Sequence, residues 1–395
     1  MFKVWNMVLI VVAFSLAIFG TFLTRSGILG SVHAYSESAL GPFFLLFLAL
    51  ALCGSLGLIY HRYDELKGET ETESLISKDS TFLLNNLLLV GSAFIIFLGT
   101  IFPVISEALS GVKIGVGKSF FNYVNGPIFL AIIFLAGVCT VIGWRRASMK
   151  VLLNRSLGPL VSALVLAAVL FFLGIREWPA LIAFPVCWFV ISTLFYGWFR
   201  DIRTNHRTKG INYLKAFWNV IGKNRMRYGA YIVHLAITLI AIGVTGSSLF
   251  EVEREARLKA GESMAIQHYV LTYEDIKHYQ TQSKMVVRAT LSVYNNGKFV
   301  GKLTPEKYFH QNFQQPVTEV AIRSTLREDL YVILAGWDKE GTVFKVLVNP
   351  LVSWIWLGGG VFLLGGLIVF WPKRREITSN NDEPIPESKE EVPDR

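Results

Sequence analysis

The sequence predicts an α-helical polytopic membrane protein of about eight transmembrane helices, with a small extracytoplasmic β domain between the last two. Three observations predict it. Of 395 residues, 52% are hydrophobic and only 17% charged, with mean hydropathy +0.46, which is too apolar for a soluble chain of this length. Apolar stretches recur at 4–23, 41–60, 82–104, 127–144, 157–175, 178–198, 228–250 and 351–371. Each is near the length of about 20 residues that crosses a bilayer at about 1.5 Å per residue. Between the last two, 251–350 has no span-length apolar run and carries 13 basic and 12 acidic residues. The recurring apolar stretches with few charges exclude a secreted enzyme, a nuclear factor and a disordered scaffold.

The first stretch opens like a signal peptide, with Lys3 before its apolar residues, yet no small-x-small cleavage site precedes Thr24-Arg25-Ser26-Gly27. It is expected to stay as a helix. Orientation follows from Lys and Arg in the connections, because positively charged loops resist translocation. The connections after the second, fourth and sixth stretches hold 15 such residues, eight of them between Arg200 and Arg227. Those after the first, third and fifth hold four: Arg25, Lys113, Lys118 and Arg176. Both ends are therefore expected in the cytoplasm and the protein in the cytoplasmic (inner) membrane. The net charge of +9 collects at one membrane face and does not point to nucleic acid. Trp5, Trp144, Trp178, Trp198 and Trp371 sit near predicted boundaries, where indoles anchor.

The organisation expected is a bundle of seven spans over 1–250, a β-rich domain over 251–350, the eighth span over 351–371 and a cytoplasmic tail over 372–395. Alternation at 265–273 and 286–294 reads as half-buried strands, and Asn295-Asn296-Gly297-Lys298 as a hairpin turn. Segments 317–324, 330–334 and 342–348 add further strands. The tail, with seven acidic residues and three prolines over 376–395, has a disordered composition.

Cys53, Cys139 and Cys187 all lie in apolar stretches, with no C-x-x-C or C-x-x-C-H, so thiol exchange and covalent haem attachment to this chain are not expected. No phosphate-binding glycine loop, Gly-x-Ser-x-Gly, H-E-x-x-H or paired intramembrane carboxylate appears, which removes ATP-driven pumps and hydrolases. Gly99 and Pro103 interrupt the third stretch, and Glu107 reads as a solvated helix end near Lys113. An ionisable side chain inside a span is costly and marks function by default, and His234 is the one that qualifies. It lies roughly 9 Å from the cytoplasmic end of its stretch. At about 100° per residue it shares a small and polar sector with Tyr231, Thr238, Ala241 and Thr245. A histidine hydrogen-bonded to a neighbouring helix and a metal or haem ligand both fit that seam. His33 stands in the first outer loop, past Arg25, in Ser31-Val32-His33-Ala34-Tyr35. An interfacial histidine beside a snorkelling arginine fits, and so does an axial haem ligand with Arg25 pairing a propionate. His61, His206, His268, His278 and His310 read as solvated or structural.

Several runs resemble one known family. Phe2-Lys3-Val4-Trp5-Asn6, 19–27, Ser31-Val32-His33-Ala34-Tyr35, Gly99-Thr100-Ile101-Phe102-Pro103 and Gly229-Ala230-Tyr231-Ile232-Val233-His234-Leu235 resemble the CcmF cytochrome c-type biogenesis proteins and their NrfE-type paralogues. Weaker likeness runs through 116–125, 269–273, 318–322 and 329–332; at 118–119 the family usually has two prolines, where Lys118 and Ser119 stand here. The resemblance implies a component of a cytochrome c haem lyase that takes haem from the chaperone CcmE and helps join it to apocytochrome c. It implies that His33 is one of two outer axial ligands to incoming haem, and His234 one of two ligands to a membrane haem b. The family's tryptophan-rich segment and the second histidine of each pair lie upstream of the region matched, and the Trp354-Ile355-Trp356 pair lacks the family's Asp-Pro.

The chain thus matches the C-terminal half alone. Either the gene is split, with the tryptophan-rich half on another chain, or the sequence is a truncated product; the opening methionine and a topology that closes favour the split, and in both cases one missing ligand per haem predicts poor haem binding by this chain alone. A CcmH-like thiol partner is a further implied contact, besides the bilayer. A secondary transporter or haem exporter, and a structural scaffold for the other half, are the competing expectations.

Overall fold

In the computed structural model, residues 3–26, 40–66, 78–142, 149–281, 284–310 and 316–371 are described. The helices are α1 (Lys3–Arg25), α2 (Gly41–His61), α3 (Tyr63–Leu66), α4 (Lys78–Ser110), α5 (Lys118–Val141), α6 (Met149–Phe172), α7 (Trp178–Lys209), α8 (Tyr213–Lys223), α9 (Arg225–Leu249) and α10 (Val352–Phe370). Among the described residues, eight are long and apolar enough to cross a membrane, all but α3 and α8. The chain is a multi-pass membrane protein. Its outward-facing apolar residues belong to that solvent: Phe43, Leu46 and Leu50 of α2 are 68%, 59% and 65% exposed, as a helix apolar on every side is in lipid. The loop with His33, the residues Lys67, Arg145 and Arg146, and the tail fall outside the described residues.

Several helices run further than their apolar stretches. Pro103, Pro127 and Pro159 lie inside α4, α5 and α6, so the fourth and fifth stretches gain turns ahead of their prolines, and α4 passes Gly99 and Pro103 unbroken. Hydroxyls take up nearby carbonyls: Ser106 Oγ donates to Pro103 O at 3.0 Å and Ser162 Oγ to Pro159 O at 2.8 Å. At the far end of α4, Lys113 pairs with Glu107 at 3.6 Å, both half-exposed.

The antiparallel pair α9 and α10 brackets the β domain. Gly229, Ala236 and Gly243 repeat every seven residues on α9, and Gly358 and Gly365 do so on α10. A Cβ on Gly358 would stand 2.8 Å from the Ala236 carbonyl, and one on Gly365 3.0 Å from the Val233 amide nitrogen. Small residues at heptad spacing let the two backbones touch, which is how helices gain packing energy where lipid supplies no hydrophobic drive. This stripe lies opposite the His234 sector of α9, so the histidine faces away from α10.

Ten strands follow α9: β1 (Val252–Leu258), β2 (Ser263–Ile266), β3 (Tyr269–Gln280), β4 (Lys284–Asn295), β5 (Lys298–Leu303), β6 (Glu306–His310), β7 (Val317–Glu319), β8 (Ala321–Ser324), β9 (Glu328–Asp338) and β10 (Gly341–Pro350). They form an antiparallel sandwich, one sheet ordered β1-β10-β9-β8 and the other β2-β3-β4-β6-β7 with β5 also on β4. Alternation points Leu330, Val332, Leu334, Phe344, Val346 and Val348 inward against Leu271, Leu291 and Val293. Two sequence expectations change. The run at 265–273 is two strands, because Ile266 pairs with Tyr269 across a two-residue turn. The run at 317–324 divides at Val320, β7 joining one sheet and β8 the other. The Asn296-Gly297 turn has positive φ at both residues, 47° and 79°, as a tight hairpin of this twist requires.

The sandwich is tied to the membrane end of α10. Leu351, at φ 62°, turns the chain from β10 into the helix, and its amide donates to Arg327 O at 2.9 Å. Ser353 Oγ donates to Thr325 O at 2.7 Å and Trp354 Nε1 to Leu326 O at 2.9 Å. Trp354 is thus an anchor, whereas Trp356 is 78% exposed toward lipid.

Candidate functional site

His234 is half-buried and lines a cavity of about 320 Å³ between α4, α5 and α9. Its imidazole makes no hydrogen bond among the described residues; only its carbonyl is engaged, by Thr238 Oγ1 at 2.7 Å. The rest of the wall is mostly apolar: Leu89 from α4, Ile132, Ile133 and Leu135 from α5, and Ile237 from α9. Thr81, Asn85, Cys139 and Thr238 add the polar contribution. A flat apolar macrocycle with a ligand-hungry iron suits such a wall: an unpartnered imidazole among aliphatic side chains. The cavity is open on one side, and these helices would form one wall of such a site.

Of the sector read around His234, Thr238 shares the cavity and Tyr231 turns elsewhere. Tyr231 is buried against α7, where its hydroxyl accepts from Arg227 Nη2 at 3.1 Å. Arg227 also pairs with Asp201 of α7 at 3.0 Å, and Tyr228 Oη donates to the same carboxylate at 2.9 Å. This network locks the α7 and α9 ends together and holds the rotation of α9 that turns His234 to the cavity. His206 stacks on Tyr213 of α8 with centroids 4.1 Å apart, a structural role.

Arg25 is the exposed last residue of α1. Phe19 of α1 meets Phe97 of α4 with centroids 5.6 Å apart, twelve residues or about 18 Å along α4 from Asn85. Successive spans alternate in direction, so Arg25 lies beyond Phe97 and the structure does not bring it to His234. His33 lies outside the described residues. Among the described residues no group of three His, Cys, Asp or Glu side chains is arranged to hold a metal ion. Sequence reasoning missed Asn85 and Thr81; their i,i+4 spacing with Leu89 on an otherwise apolar helix is the signal that marks them.

A second cleft, about 570 Å³, lies where the sandwich meets the bundle, lined by Ile175, Phe250, Arg327 and Glu328 among others. At its edge Glu328, 6% exposed, accepts from Tyr269 Oη at 3.1 Å and pairs with His268 Nε2 at 2.6 Å. Burial, and then the charge of Glu328, push the Tyr269 phenol above its ordinary pKa. Elsewhere on the sandwich, Lys302 and Ser292 hold Glu274 below the usual carboxylate range, and the Glu340 amide with Arg257 does the same for Asp338.

Eight membrane-crossing helices, an intramembrane histidine on a half-cavity and an antiparallel sandwich between the last two spans define the class: a multi-pass membrane protein with a β-sandwich inserted before its final helix. The profile of a family described as the CcmF C-terminal beta-sandwich matches residues 249–350. The cytochrome c-type biogenesis protein CcmF of Pseudomonas aeruginosa is 33% identical over 380 residues, 95% of this chain and 56% of that protein. CcmF of Escherichia coli K12 is 31% identical over 384 residues, 96% and 57%. The solved structure of a cytochrome c haem lyase CcmF superposes with TM-score 0.74 at 26% identity, over 94% of this chain and 55% of that one. In sequence and fold the chain is CcmF-like along nearly its whole length, and it spans about half the length of the curated relatives it matches.

Proposed function

We propose that this chain is a haem-handling subunit of a cytochrome c maturation system, one half of a split CcmF-like haem lyase. It works with a tryptophan-rich half on another chain, receives haem from the chaperone CcmE and helps ligate it to apocytochrome c, with a CcmH-like thiol partner nearby. The observation that carries this reading is the unpartnered imidazole of His234 on the wall of an apolar half-cavity, in a chain related to CcmF proteins over 95% of its length.

In this reading His234 is one axial ligand to a haem b, and the other half supplies the second ligand and the missing wall. A b-type haem held there supplies one-electron chemistry. The aliphatic residues of α5 and α9 exclude water from its faces, and the Asp201–Arg227–Tyr228 network holds the helix that presents the ligand. At the opposite face His33 ligates the incoming haem, and Arg25 pairs one of its propionates. Thioether formation joins a haem vinyl group to a cysteine thiol of the apocytochrome, so the task of the protein is to hold the two in register, and no nucleophile of its own is needed. The membrane is the cytoplasmic one, with both termini inside and the sandwich outside. The basic ends of α7, α8 and α9 supply the positive inner face.

A reduced-minus-oxidised visible spectrum tests this reading, taken on the chain purified alone and with the tryptophan-rich half, each as wild type and as His234→Ala. A b-type signal that requires the partner and vanishes with His234→Ala is expected. No haem in any sample, with the two chains co-purifying, overturns it in favour of a scaffold or a transporter.

A further inference from the structure

The seam between α4 and α5 follows a seven-residue repeat. Gly99 lets the ring of Phe121 in: a Cβ there would stand 2.6 Å from it. One repeat on, Ser92 Oγ donates to Asn125 Oδ1 at 2.7 Å in a buried contact, and Asn125 Nδ2 donates to Phe121 O at 3.2 Å. One repeat further stands Asn85, on the same face of α4. Its amide has no partner among the described residues, because at that level the seam opens into the cavity beside His234. An amide at membrane depth with donors and acceptors unmet is costly, so its position points to a ligand that meets them.

The cavity is also graded along the membrane normal. Asn85 and Thr81 lie seven and three residues from the start of α4, about 10 and 5 Å of helix, and Cys139 lies two residues from the end of α5. His234 stands nine residues, about 13–14 Å, from the start of α9 at the same membrane face. Ile132 lies level with it, nine residues from the end of α5, and Leu89 and Ile237 lie deeper. The rim thus carries Asn85, Thr81 and Cys139 beside Phe82, the interior is aliphatic apart from Thr238, and among the described residues no lysine or arginine lines the wall.

This gradient matches a planar amphiphile with carboxylates on one edge. Resting on the assignment of His234 as a haem ligand, we propose that the rim formed by Asn85 and Thr81 receives the propionate edge of that haem. Asn85 donates its side-chain N–H to a propionate, and the vinyl edge points into the membrane interior. Asn85 is a positioning residue: it sets the rotation of the macrocycle about the bond from His234 to iron.

The test is a visible titration of the full-length chain in detergent with ferric haem and with its dimethyl ester, whose carboxylates are masked. Weak binding through one histidine suffices, because the readout is a ratio of two affinities. Wild type is expected to prefer the free acid by about tenfold, the effect of one hydrogen bond to a charged group. Asn85→Leu is expected to bind both forms about equally, and Asn85→Asp to prefer the ester. A variant that merely disturbs folding lowers both affinities and leaves the ratio alone. A wild-type preference retained in Asn85→Leu overturns the proposal while the haem site stands. Binding unchanged in His234→Ala, or no haem binding by wild type even in complex with the tryptophan-rich half, overturns both this proposal and the His234 assignment.

Discussion

Among the described residues, His234 and Asn85 each leave hydrogen-bonding capacity unmet where lipid offers none. Tyr269 is the opposite case, a buried phenol fully used by Glu328. Tyr269→Phe is expected to destabilise the sandwich by about 1–3 kcal/mol, since Glu328 loses one of its donors while staying buried. A thermal melt followed by strand-sensitive circular dichroism measures that, and an unchanged midpoint removes the contact from the fold's stability. Glu274 and Asp338 give a pH dependence. Both carboxyls are held below the ordinary range by hydrogen bonds and a neighbouring cation, so the stability they add is present above the unfolded-state pKa and lost as pH falls through the folded one. Glu274→Gln is therefore expected to lower sandwich stability at neutral pH and to have little effect in strong acid. An equal loss at both pH values contradicts the linkage.

At the scale of elements, α9 has two opposed working faces. The Gly229, Ala236 and Gly243 stripe meets α10, and the His234 and Thr238 face meets the cavity. Gly358→Leu is expected to push the two helices apart, because its new Cβ would meet the Ala236 carbonyl, a backbone atom that cannot swing away. The expected outcome is a lower melting temperature in detergent and weaker haem retention, with the isolated histidine chemistry untouched. In the sandwich, Phe344 is fully buried between the sheets, and Phe344→Ala is expected to cost about 3–5 kcal/mol through lost transfer energy and the cavity left behind. A chemical-denaturation series on the full chain measures it.

For the whole molecule, the proposed complementary half is the candidate source of the open wall, this chain spanning 56% of its Pseudomonas aeruginosa relative. Co-expression with that half is expected to protect residues facing the His234 cavity from a membrane-permeant thiol reagent, with Cys139 as the reporter. Unchanged Cys139 labelling in a stable complex places the partner on another face. The two proposed haem positions fall at opposite ends of α4, so Arg25→Ala is expected to leave the b-type signal of the His234 site intact.

The sequence by itself determined the spans and the position of the β domain, and it marked His234 as a candidate site residue. Hydrophobic length is a sum along the chain, and one ionisable residue in a span stands out without any partner being known. It could not set where α5 and α6 begin, because Pro127 and Pro159 lie inside these helices and the turns ahead of them are less apolar than the spans. It also merged β2 with β3 and β7 with β8, since alternation continues across a two-residue turn and across a change of sheet. Only the tertiary structure decided which face of α9 packs on α10 and which meets a cavity. Only it decided that Asn85, one polar letter among many in α4, stands where the seam with α5 opens. Both depend on which helices are neighbours and how each is rotated, and that is settled by close packing between segments far apart in the chain.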